Sequence, residues 1–136
     1  MVKLKKRREK RGSKILTSDL PVTQSPIKNK PVFSFLYLSK SHCITKCQQK
    51  EKISFVKKMH LLSQTTWNQI YSSPAHKNGC EKISRDSLNV SVPQGIKDDA
   101  NILSIRFFGK APMVGFREDD IFHVIWFDRK FDVYDH

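Results

Sequence analysis

Residues 102–136 read ILSIRFFGKAPMVGFREDDIFHVIWFDRKFDVYDH, and this stretch decides the fold. It divides into four segments rich in β-branched and aromatic residues, separated by turn signals. Ile102 to Phe108 is the first, turned by Gly109-Lys110-Ala111-Pro112. Met113 to Arg117 is the second, ended by the acidic turn Glu118-Asp119-Asp120. Ile121 to Phe127 is the third, Asp128-Arg129-Lys130 the next turn, and Phe131 to Tyr134 the fourth. Connections this short join antiparallel neighbours and predict a four-stranded antiparallel meander.

Successive side chains of a strand point to opposite faces. Leu103, Ile105 and Phe107 therefore form one core face of the first strand, and Ser104 and Arg106 lie on the other. The third strand is apolar on both faces and reads as central, with His123 its one polar residue.

Upstream the period changes. Phe55, Val56, Met59 and Leu62, then Trp67, Ile70 and Tyr71, recur at helical spacing and predict two short helices, the second capped by Ser63. Pro74, Asn78 and Gly79 end the helical region, and a weak strand is expected from Leu88 to Val92. Helices followed by strands give an α+β class, two helices packed on one sheet, with Trp67 and Trp126 sharing a single core.

Charge divides the chain again. Residues 1–50 hold 13 Lys and Arg against Glu9 and Asp19, a net +11, so nearly all of the +12 total sits there. Lys3, Lys5, Lys6, Arg7, Arg8, Lys10, Arg11 and Lys14 repel one another and lack apolar company. Such a run predicts a disordered basic arm over 1–50 ahead of a compact domain over 51–136. Of the arm, Lys5, Lys6, Arg7, Arg8, Lys10, Arg11 and Lys14 are expected to bind nucleic acid by counterion release, or merely to keep the protein soluble. Pro21, Ser25, Pro26, Asn29 and Pro31 read as an extended linker, and Val32 to Leu38 as a short strand or an apolar anchor docking the arm.

Several classes drop out. No apolar run approaches the roughly 20 residues of a membrane span. Three Cys do not make a disulfide scaffold, so a reduced, cytoplasmic setting is the expectation. No Gly-rich loop precedes Lys-Ser/Thr, which removes P-loop and Rossmann readings. His42-Cys43-x3-Cys47, with Cys80, His60 or His76, lacks the paired knuckles of a structural zinc site, so neither metal nor cofactor is implied.

What remains is a concentration of Arg106, Lys110, Arg117, His123, Arg129, Tyr134 and His136 in the strand region. Cations stabilise phosphoryl charge, while imidazole, phenol or amine moves a proton, as metal-independent RNA cleavage requires. The competing reading pairs Arg106 and Arg117 with Glu118, Asp119, Asp128 or Asp132 as surface ion pairs.

The run Ile102 to Lys110, with Gly115-Phe116-Arg117, Phe122-His123-Val124-Ile125-Trp126-Phe127-Asp128 and Val133-Tyr134, resembles small bacterial and phage proteins ending in a Phe-His-x-x-Trp-x-Asp and Tyr-Asp-His signature. More distantly, residues 53–136 resemble the RelE/ParE-type toxins of toxin-antitoxin systems, with two helices before an antiparallel sheet. That resemblance implies a metal-independent endoribonuclease toxin acting on messenger RNA in a ribosome-associated setting and neutralised by an acidic antitoxin protein, or a degenerate relative. By position, Arg129 and Tyr134 match the toxins' basic and tyrosine positions and Lys110 a loop cation, whereas Ala111-Pro112-Met113 stands where those toxins favour an Arg. The expected catalytic set is Lys110, Arg117, His123, Arg129 and Tyr134 on one open face. The alternative is a non-catalytic nucleic-acid-binding or protein-interaction module.

Overall fold

The computed structural model describes residues 28–136. The expected nucleic-acid-binding residues Lys5 to Lys14 lie outside the described residues.

The elements run β1 (Val32–Ser34), α1 (Gln49–Ser63), α2 (Trp67–Ser72), β2 (Cys80–Ile83), β3 (Ile102–Phe108), β4 (Ala111–Glu118) and β5 (Ile121–Phe127). The α+β class holds, but the sheet has five strands in the order β1-β5-β4-β3-β2. β3, β4 and β5 form the expected meander, β2 adds antiparallel to β3, and β1 adds parallel to β5.

Two corrections follow. Phe131 to Tyr134 is not a fourth meander strand: Phe131 takes φ 58°, which breaks extended backbone, and only Tyr134 bridges, to Leu88. The weak strand at Leu88 to Val92 reduces to that same bridge. The edge beside β3 is formed by Cys80–Ile83, a strand that its polar Glu81 and Lys82 hid.

The boundary at residue 50 also moves. Val32–Ser34 is a true strand, and Phe33, Leu38, Ile44 and Cys47 pack into the core beside the helices. Among the described residues, the segment from Val32 to Gln48 thus belongs to the folded unit.

Helix α1 buries Phe55 and Leu62 and half-buries Met59, while Val56 points to solvent. Its first turn is closed by the Gln48 amide donating to Glu51 Oε1 at 2.6 Å. Thr66, not Ser63, caps α2: its hydroxyl accepts from the Gln69 amide, and the Gln69 side chain accepts from the Thr66 amide. Ser63 instead donates to the Met59 carbonyl.

The sheet is covered on both faces. Phe55, Leu62, Trp67 and Ile70 pack on Leu103, Ile105, Phe107, Met113, Phe122, Val124 and Phe127. The opposite face carries Ile102, Val114, Phe116, Ile125 and Trp126, covered by Ile96, Val133 and Tyr134 from the irregular segments. Trp67 and Trp126 therefore lie in different cores. A bulge in the β4–β5 pairing between Val114 and Gly115 puts consecutive Ile125 and Trp126 on the same face. A Cβ at Gly115 would lie 1.9 Å from the His123 carbonyl oxygen, so only glycine allows the strands this close.

Candidate functional site

The turn after β5 carries the chain from the helix face, where Phe127 packs, to the opposite face, where Val133 and Tyr134 pack. Its anchor is Asp128, fully buried. Asp128 Oδ1 accepts the Asp132 amide at 2.8 Å, and Oδ2 lies 3.3 Å from His136 Nε2. The last residues are held in place rather than frayed. The Asn89 amide donates to the Val133 carbonyl at 2.7 Å, the Asp135 amide to the Ser87 carbonyl at 3.0 Å, and the Asn89 side chain to Asp135 Oδ1 at 3.0 Å.

So fixed, the His136 ring stacks on Tyr134 with centroids 3.9 Å apart. Both line a cavity of about 270 Å³ together with Ser104, Arg106, Lys110 and Glu81. The Tyr134 hydroxyl points to Ser104 Oγ at 3.4 Å. Burial pushes the Tyr134 phenol above its usual range despite the opposing Ser104 contact, which keeps the proton on it. Arg106 and Lys110 have no acidic side chain within ion-pair distance among the described residues. The cavity thus combines two cations and the Glu81 carboxylate with an imidazole, a phenol and a hydroxyl.

The five expected catalytic residues do not converge on one face. Lys110 and Tyr134 share this cavity. Arg129, in the turn after β5, lines a different cavity, its Nε 2.9 Å from Glu51 Oε1. The Arg117 guanidinium lies over the Trp67 ring, 4.6 Å from its centroid, and pairs with Asp120 at 3.4 Å, an acid outside the set expected to pair with it. His123 is 5% exposed, with Nδ1 2.9 Å from Ser34 Oγ and Nε2 3.0 Å from Glu118 Oε1. Its ring stacks on Phe116 and meets the edge of Tyr37. That environment ties β1 to β5 and gives the imidazole a structural task.

Sequence reasoning missed Asp128 as the support of His136, since it read as a turn residue. Ser104 was placed on the right face but given no role. The signal for Asp128 was its position just after an apolar strand, where a buried carboxylate collects turn amides.

No group of three or more His, Cys, Asp or Glu side chains among the described residues is arranged to hold a metal ion, which separates the ligands of the zinc reading. No helix among them is long and apolar enough to cross a membrane. Comparison with protein families, curated proteins and solved structures finds no match to this chain.

Proposed function

We propose that this protein is a metal-independent RNA endonuclease whose reaction takes place in the cavity of Arg106, Lys110, Tyr134 and His136. The observation that carries the reading is the Asp128–His136 pair, set against Tyr134 in a cavity that also holds Arg106 and Lys110. An ionised Asp128 accepts only, which places the imidazole proton on Nε2 and leaves Nδ1 with the lone pair.

In the proposed step His136 takes the proton of a ribose 2′-hydroxyl, and that oxygen forms a bond to phosphorus. The bond from phosphorus to the 5′-oxygen breaks, and Lys110 returns a proton to the leaving oxygen. Arg106 faces the charge that develops on the phosphoryl oxygens. The products are a 2′,3′-cyclic phosphate and a 5′-hydroxyl. In this reading the basic N-terminal residues gather RNA, and an acidic protein partner would silence the enzyme by occupying the cationic cavity.

The test is cleavage of a short RNA carrying one reporter bond, with and without chelator. Wild type should cut it to the cyclic phosphate in both conditions, and a 2′-deoxy residue at the reporter bond should block the reaction. His136→Ala should lose most of the rate, on the order of 10²-fold or more. A wild type that binds RNA with steep salt dependence yet never cuts it replaces this reading with the non-catalytic binding module.

A further inference from the structure

Four non-glycine residues have positive φ among the described residues: Asn29, Asn78, Asp119 and Phe131. Asn and Asp tolerate this region, whereas a bulky Phe at φ 58° is an outlier that a fold keeps only when something requires it. The Phe131 side chain belongs to neither core. Its side chain is 46% exposed, and its ring meets the His136 ring edge-on at 5.2 Å. The strained backbone thus holds an open aromatic face at the rim of the cavity that Lys110 and Tyr134 line.

A second cavity, of about 290 Å³, opens on the other side of the same turn. Ser41, His42, Lys46, Arg129 and Lys130 line it, with Asp132 the one acidic residue in its wall. His42 is fixed at both nitrogens, Nδ1 2.8 Å from Ser41 Oγ and Nε2 3.0 Å from Asp132 Oδ1. Arg129 is braced through Nε by the buried Glu51. Lys46 and Lys130 have no ion-pair partner among the described residues. Both cavities depend on one carboxylate, because Asp128 holds His136 with one oxygen and the Asp132 amide with the other.

We propose that the second cavity receives the phosphate that flanks the scissile one along a single RNA strand, with the unpaired base between them stacked on Phe131. This rests on the cleavage reading given above. A cationic pocket, an exposed aromatic and a second cationic pocket in series match the alternation of phosphate, base and phosphate in an unstacked strand. A duplex keeps its bases inside the stack and offers none to Phe131, so the substrate is single-stranded.

The test uses the full chain and a short 2′-O-methyl RNA, which binds but lacks the attacking hydroxyl, with one 2-aminopurine as reporter. Binding is measured across a salt series. Phe131→Gly relieves the backbone, so its thermal midpoint should equal or exceed that of wild type. It should weaken single-strand binding roughly 5- to 100-fold and remove the 2-aminopurine quenching, while leaving duplex binding unchanged. Lys46→Ala with Lys130→Ala should lower the salt slope by about one. Wild-type affinity in Phe131→Gly, or equal losses on single strand and duplex, overturns the proposal. If wild type cuts RNA while Phe131→Gly binds as wild type does, the subsite fails and the cleavage reading stands. If wild type never cuts but Phe131→Gly loses the single strand, the cleavage reading fails and the subsite stands as a binding site.

Discussion

Asp128 and His136, eight residues apart, meet at 3.3 Å because the intervening turn folds back on the buried carboxylate. The relationship makes a specific prediction. Asp128→Asn keeps the shape but can present an amide to Nε2, which favours the tautomer with its proton on Nδ1. Cleavage should fall by about 10²- to 10⁴-fold with little change in RNA affinity. Equal cleavage by Asp128→Asn and wild type would remove Asp128 from the catalytic account.

A second prediction concerns acid stability. Burial works against ionisation of Glu51, but the Gln48 amide and the Arg129 guanidinium outweigh it and hold the carboxyl below the usual glutamate range. A carboxyl with a depressed folded-state pKa stabilises the fold above its unfolded pKa and loses that contribution as pH falls through the folded value. Glu51→Gln should therefore be less stable than wild type near neutrality, with the gap closing on acidification. Urea midpoints taken between about pH 7 and about pH 3 will show it.

The separation of the two tryptophans gives a third. Trp67 and Trp126 belong to different faces of the sheet, so Trp67→Phe and Trp126→Phe should add to within about 0.5 kcal/mol. Strong coupling in the double-mutant cycle would mean one continuous core. Trp126→Ala, which empties a fully buried site, should cost about 3–5 kcal/mol.

A fourth tests the basic arm. Removing residues 1–27 keeps the Asn29 carbonyl that accepts from the Trp67 amide at 2.7 Å. The thermal transition should therefore stay near that of the full chain. Most of the salt-sensitive RNA binding should disappear, measured as a flatter slope of affinity against salt. An unchanged slope would show that the charge of the arm is not used for RNA.

The meander was legible because β3, β4 and β5 alternate strongly and are joined by short turns. β2 was not, because Glu81 and Lys82 face solvent on an edge and leave no apolar pattern. The last segment misled for the opposite reason. Phe131, Val133 and Tyr134 have strand composition, but the Asp128 carboxylate captures the Asp132 amide and curls the chain. Of the expected site residues, Lys110 and Tyr134 line one cavity. His123 was misplaced because its polar character suggested chemistry, whereas pairing with Ser34 across 89 residues gives it a structural partner that local pattern does not reveal.

The parallel pairing of β1 sets the order of assembly. Val32–Ser34 joins strand residues Ile121 to His123, so this contact closes a very long loop and offers only three residues in return. Loop-closure entropy makes such a contact a late event, after the meander has formed. Until then the outer edge of β5, among the most apolar strands of the protein, carries unpaired amides and carbonyls able to template another chain. Folding yield should therefore fall with protein concentration, and variants that weaken the Ser34–His123 contact should aggregate while the native helices and meander remain intact.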